Sequence, residues 1–217
     1  MGLTMKKLYL FALEKERDAF LKGLDNAPTP VGDFFIDDHD AYAVIGVGKV
    51  YASMYTEKWI AHYRPNLVIN VGVAGGIDLA TDDWVLVTEA VFYDVDVTAF
   101  GYQKGQYPKA SPIFKSNGAA LDQLKTSLSP HIYHLGRIAT GDTFMTNQAL
   151  LNDVEAIKAV DMELAAIALV CETHQIPWVS IKTISDTVGT ASQIEDFDHW
   201  VEEGLKKIAP LIKGAFS

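Results

Sequence analysis

An α/β fold, layered as a sandwich, follows from three observations on the sequence. Short apolar runs alternate with helical patterns almost from end to end, which is the order of an α/β protein rather than of separate α and β regions. One apolar run, Val68-Ile69-Asn70-Val71-Gly72-Val73-Ala74, breaks into Gly75-Gly76, so that bare backbone at a strand end lets a ligand come close. A chain of 217 residues holds one domain, 1–217, with a sizeable core. In order, strands are expected over 7–12, 32–36, 42–45, 67–73, 84–97, 132–140, 159–161 and 178–184. Helices are expected to start near Glu14, Lys49, Asn117, Asn147, Met162 and Phe197. The first of these carries Glu14 and Glu16 in its opening turn, where the helix macrodipole favours acids. In the last, Trp200, Val201, Leu205, Ile208, Leu211 and Ile212 recur at helical spacing and predict an amphipathic face on the sheet. Pro210 is expected to kink that helix. No internal repeat, low-complexity tract or linker divides the chain.

Composition narrows the function. A formal charge of −10 argues against a nucleic-acid partner, because phosphate binding needs clustered Lys and Arg; a small-molecule substrate is expected instead. Half of the residues are hydrophobic, yet no stretch approaches the roughly 20 apolar residues of a membrane helix. The first residues run directly into a strand-like segment with no cleavage site, which reads as cytoplasmic. The single cysteine, Cys171, lies in an apolar helix and is expected to pack in the core.

Two acids stand where acids are costly. Glu163 opens the apolar run Met162-Glu163-Leu164-Ala165-Ala166-Ile167, and Asp186 ends the strand Trp178-Val179-Ser180-Ile181-Lys182-Thr183-Ile184-Ser185. Capping accounts for either alone, with Asp161 as a second candidate cap. Three acids at three element junctions, Glu16, Glu163 and Asp186, point further, to proton transfer and stabilisation of a cation in a crevice at the strand ends. The glycines at 72, 75 and 76 do not make a dinucleotide fingerprint. Gly46-Val47-Gly48-Lys49 is not a P-loop, since it lacks the upstream glycine and the Ser or Thr after lysine. Phe144 and Met145, after Gly141-Asp142-Thr143, suit stacking on a flat ligand, although such residues taken singly are more often core. The aromatic loop 94–108 suits recognition, an interface, or folding onto its own core. His131 and His134 fall on opposite faces of a strand, and no metal site or nucleophile elbow is expected.

Together, Asp96-Val97-Thr98-Ala99-Phe100-Gly101-Tyr102 with Gly105-Gln106, then Ala74-Gly75-Gly76, Gly141-Asp142-Thr143-Phe144, Met162-Glu163 and Ile184-Ser185-Asp186 resemble the 5'-methylthioadenosine/S-adenosylhomocysteine nucleosidases of the nucleoside phosphorylase superfamily. The match runs from about Leu8 to Phe197. It implies a three-layer α/β/α sandwich around a mixed twisted sheet, no cofactor, and hydrolysis of an adenine N-glycosidic bond in methionine salvage. By the resemblance Asp186 protonates the purine, Glu16 activates water and Glu163 holds the ribose hydroxyls. Met162 would pack the sugar, Phe144 stack on adenine, Phe197 close the pocket, and Gly75 and Met145 contact base or sugar. Val47, Val73, Ala74, Val97, Lys182 and Ser185 complete the implied substrate site. A homodimer is implied as well, in which Phe100, Tyr102 and Pro108 of each subunit line the 5'-alkylthio pocket of the other. Two positions depart from the pattern: Val73 stands for the usual serine, and Lys182 for an arginine that positions water and acids. Lysine keeps the charge but not the planar fork. The alternatives are a phosphate-dependent purine nucleoside phosphorylase, for which only Lys6, Lys7, Lys49 and Lys182 offer cations, and an adenosine-analogue binding protein without catalysis.

Overall fold

A computed structural model describes residues 5–151 and 153–216. Strand β1 (Lys7–Phe11) leads into helix α1 (Glu14–Lys22), followed by β2 (Thr29–Val31), β3 (Phe34–Asp37) and β4 (Asp40–Val44). Helix α2 (Lys49–Tyr63) precedes β5 (Leu67–Gly76), β6 (Trp84–Phe92) and the two-residue β7 (Phe114–Lys115). Then come α3 (Gly118–Leu128), β8 (His134–Thr140), β9 (Ile157–Asp161), α4 (Leu164–Thr173), β10 (Trp178–Thr187) and α5 (Gln193–Ala215).

Period-two alternation in the strands sorts side chains into two cores. Leu8 and Leu10 of β1 point to a cluster that includes Ala52, Trp59 and Ile60 of α2 and the apolar length of α4. Tyr9 and Phe11 point the other way, to Ala19 and Phe20 of α1, Leu121 and Leu124 of α3 and Val201, Leu205, Ile208 and Ile212 of α5. The result is the expected three-layer sandwich with a mixed sheet between helices. Cys171 is fully buried in the first core.

The sheet also closes on itself. β5 pairs parallel with β10, β10 antiparallel with β6, β6 parallel with β8, β8 parallel with β9, and β9 antiparallel with β5. From β5 the sheet continues through β1, β4, β3 and β2. Since β1, β4, β5 and β10 run parallel, their C-terminal ends lie along one edge, where open α/β sheets place ligands.

Several boundaries differ from expectation. The strand expected over 84–97 stops at Phe92, because Asp94 turns out to bind Lys49 Nζ and the Asp142 N–H. The helix expected near Asn147 is only a 3-10 turn, Gln148–Leu151, in which the Asn147 side chain accepts from the Ala149 N–H and so supports a turn. α5 begins at Gln193 rather than near Phe197, and Pro210 lies inside it without ending it. β10 runs on past Ile184 to Thr187, so Asp186 sits within the strand. His134 lies in β8, while His131 precedes the strand and packs its ring against Trp84. β2 and β7 carried no signal, being three and two residues long. Among the described residues no helix is long and apolar enough to cross a membrane.

Candidate active site

Along the strand-end edge opens a cleft lined by Leu13, Glu16, Val47, Val73, Ala74, Gly75, Phe144, Met145, Met162, Glu163, Ser185, Asp186, Gln193 and Phe197, among others. Its lining is mostly apolar with a few convergent polar groups, as in small-molecule sites. The three acids of the sequence reading meet here, each from a different element: Glu16 from α1, Glu163 ahead of α4, and Asp186 from β10.

Glu16 is buried in the first turn of α1, and its carboxylate is held by backbone alone. Oε2 accepts from the N–H groups of Ala12 and Leu13 at 2.8 and 2.9 Å, and Oε1 accepts from the Val73 N–H at 2.9 Å. Capping and site placement are therefore the same feature. The carboxylate lies so close to β5 that a Cβ on Gly72 would come within 2.6 Å of Oε1. Burial pushes the Glu16 carboxyl up, against the opposing pull of Lys182 and the three N–H donors.

Glu163 does not cap α4; Asp161 does, accepting from the Leu164 N–H at 3.1 Å. Instead Glu163 Oε1 accepts from the Gly48 N–H at 2.9 Å. Gly48 has φ +90, a left-handed conformation open mainly to glycine. The Gly-Val-Gly turn between β4 and α2 thus binds an internal carboxylate rather than a phosphate. Burial, with the Asp161 carboxylate second, pushes Glu163 up to about 8.

Asp186 is 1 % exposed. Its Oδ1 accepts from Ser185 Oγ at 2.6 Å and its Oδ2 from Gln193 Nε2 at 2.8 Å. Burial raises this carboxyl too, and the two donors oppose the rise. A buried acid that holds its proton more tightly than usual is suited to general acid work.

Lys182 does not line the cleft. It is buried behind the wall with its Nζ 2.9 Å from Asp161 Oδ2, both side chains 2 % exposed. Burial alone would lower its pKa, yet Asp161, Glu163 and Glu16 together outweigh that and raise it. Asp161 is further fixed by Thr140 Oγ1 at 2.6 Å. Thus Lys182 acts on the acids through the wall, as a buried counter-charge.

Of the other expected contacts, Phe144 and Phe197 stand edge to face at the cleft, ring centroids 5.9 Å apart. Val97, Phe100, Tyr102 and Pro108 stay outside it; Phe100, in a 3-10 turn, is 81 % exposed. Gly48, Asp161 and Gln193 were not expected at the site, Asp161 having been read only as a cap. Gly48 had a signal, a glycine turn before a helix, read only as a failed P-loop.

A profile of the phosphorylase superfamily matches residues 39–217. A 5'-methylthioadenosine/S-adenosylhomocysteine nucleosidase of Bacillus thuringiensis (strain Al Hakam) is 40 % identical over 167 residues, 73 % of this chain and 72 % of that protein. The crystal structure of the nucleosidase of the same name from Neisseria meningitidis, in complex with methylthio-immucillin-A, superposes with a TM-score of 0.86 at 28 % identity, covering 99 % of this chain and 98 % of that one. Futalosine hydrolase of Helicobacter pylori strain 26695 also superposes at 0.86, with 25 % identity over 99 % and 98 % of the two chains. The chain belongs to the phosphorylase superfamily and, within it, to the 5'-methylthioadenosine/S-adenosylhomocysteine nucleosidases.

Proposed function

We propose that this protein hydrolyses the N-glycosidic bond of 5'-methylthioadenosine and S-adenosylhomocysteine, and of 5'-deoxyadenosine as a further candidate, to adenine and the 5-substituted ribose. The observation that carries this is the convergence of Glu16, Glu163 and Asp186 on one cleft whose described lining contains no Lys or Arg. The bond broken joins the sugar C1' to the base. Asp186 donates its proton to a ring nitrogen so that the base leaves neutral. Charge then develops on the sugar as an oxocarbenium ion. Glu163 accepts hydrogen bonds from the 2'- and 3'-hydroxyls, which add to the Gly48 N–H and draw it toward its ionised form against burial. Glu16, with one lone pair of Oε1 left over from its three backbone donors, takes a proton from the water that attacks C1'. Solvent later restores the proton of Asp186 and removes that of Glu16.

A phosphorylase would need a cationic anion site in this cleft. Each candidate lysine is engaged elsewhere: Lys6 with the Tyr63 carbonyl, Lys7 with Asp40, Lys49 with Asp94, and Lys182 with Asp161. Water is therefore the nucleophile this cleft favours. Exposed Phe100, outside its own cleft, supports a homodimer in which Phe100, Tyr102 and Pro108 of each subunit close the tail pocket of the other. A lone buried cysteine fits a reducing compartment, and we place the reaction in the cytoplasm, in methionine salvage. The test is to incubate the protein with each nucleoside, with and without phosphate, and separate the products. Adenine and free ribose without phosphate are expected, and Glu16→Gln and Asp186→Asn should each lower kcat by about 10²–10⁴-fold. Near-normal turnover in both variants, or dependence on phosphate, would overturn the reading.

A further inference from the structure

Gln193, the first residue of α5, is 4 % exposed and lines the cleft. Its amide is fully engaged: Nε2 donates to Asp186 Oδ2 and to the Met145 carbonyl, both at 2.8 Å, and Oε1 accepts from the Gly189 N–H at 3.1 Å. Those partners determine its orientation. Turned over, the amide would set its oxygen against the Met145 carbonyl oxygen and its NH₂ against the Gly189 donor. A donor therefore always faces Asp186 Oδ2, and a proton on the other lone pair of that oxygen would weaken it as an acceptor for the amide.

Asp186 Oδ1 has a different kind of neighbour. Ser185 Oγ lies 2.6 Å from it and 3.5 Å from the Ala74 carbonyl oxygen. A hydroxyl both donates and accepts. It can donate to an ionised Asp186, or turn toward Ala74 and accept from a neutral one. The two oxygens of the acid are thus unequal: the neighbour of Oδ1 adapts to either protonation state, and the neighbour of Oδ2 favours the unprotonated one.

We propose that Gln193 is a positioning residue, whose fixed donor biases the transferable proton of Asp186 toward Oδ1 and sets the ease with which that proton leaves. The inference rests on Asp186 being the proton donor. Other ionisable groups among the described residues face the same region: Glu16 on α1, Asp161 on β9, Glu163 ahead of α4, Lys182 on β10 and Asp196 on α5. All of them remain in Gln193→Ala, so a difference between that variant and the wild type reports the amide.

The experiment measures kcat and KM for 5'-methylthioadenosine against pH in wild type, Gln193→Ala, Gln193→Glu and Asp186→Asn, with melting temperatures recorded to check folding. The high-pH limb of kcat/KM reports loss of the Asp186 proton. Removing a donor that favours the carboxylate should move this limb upward by about one to two pH units in Gln193→Ala. At pH 7 kcat should fall about tenfold or more, since the proton is no longer biased toward one oxygen, with KM little changed. Gln193→Glu keeps the shape and the acceptor for Gly189 but faces Asp186 with an acceptor, and its limb should move at least as far. A limb that stays in place or moves downward in both variants overturns the proposal. So does a lower KM with unchanged kcat, which would make Gln193 a competitor for the substrate's place. Activity in Asp186→Asn would instead overturn the proton-donor reading itself, whatever the Gln193 variants do.

Discussion

Replacing Lys182 with methionine removes the cation that faces Asp161, Glu16 and Glu163 inside the wall of the cleft. At 2.9 Å and an effective dielectric constant near 20, the attraction between Lys182 and Asp161 is about 6 kcal/mol. Desolvation of both ions offsets most of it, so the intact pair adds little net stability. The variant, however, keeps the desolvated carboxylates and loses their counter-charge, which costs about 3–5 kcal/mol. The pH dependence follows from the same geometry. Without Lys182 the carboxyls of Glu16 and Glu163 hold protons still more tightly when folded than when unfolded. A folded pKa raised above the unfolded one gives stability that is present at low pH and lost as pH rises. The deficit relative to wild type should therefore be near its full size at pH 8 and shrink toward pH 5. Urea unfolding at both pH values, followed by the fluorescence of the four tryptophans, measures it. A loss below about 1 kcal/mol at pH 8, or equal losses at the two pH values, would refute the idea of a buried counter-charge.

Gly72→Ala would place a Cβ 2.6 Å from Glu16 Oε1, a carboxylate that three N–H donors keep from moving aside. Displacement of a reacting group by a fraction of an ångström should lower kcat by about a hundredfold, measured as adenine release, with a stability loss of about 1–3 kcal/mol. Glu163 titrates near 8 when folded against a usual 4.5; between these values the folded chain keeps a proton that the unfolded chain gives up. Wild-type stability should thus fall as pH rises through this window, and Glu163→Gln should flatten that fall in urea midpoints measured from pH 5 to 8. Phe100→Ser alters a side chain 81 % exposed, so folding stability should stay within about 0.5 kcal/mol. Light scattering should show the proposed dimer weakened in this variant relative to wild type, and KM for 5'-methylthioadenosine should rise.

Much of the site was legible because its acids break local rules. Glu163 stands at the start of an apolar helix and Asp186 near the end of an apolar strand, and both faults are visible within a few residues of sequence. Glu16 was visible only as an acid in a first turn; what separates it from Glu14 is the Val73 N–H, 57 residues away. Asp161 looked like a cap and is one, yet its bond to Lys182 makes it part of the electrostatics of the cleft. Gln193 offered no signal at all. Its three partners come from a strand, a loop and a turn, and no spacing along the chain encodes that meeting. The long strand expected from Trp84 was cut short for a similar reason, since Lys49 draws Asp94 away from the sheet.

Period-two and helical patterning are local, so the sequence was enough to dictate an α/β sandwich, most of its elements in order, and three acids near element ends. Resemblance in its motifs was enough to indicate the chemistry. Only the tertiary structure decided how each acid is tuned. Burial, the Gly48 and Val73 N–H donors, the Lys182 counter-charge and the Gln193 amide all act through space, from residues distant in the chain. Lys182, expected beside the substrate, works from behind the wall for the same reason: its Nζ is held by Asp161 of β9, a partner that no local pattern in β10 specifies.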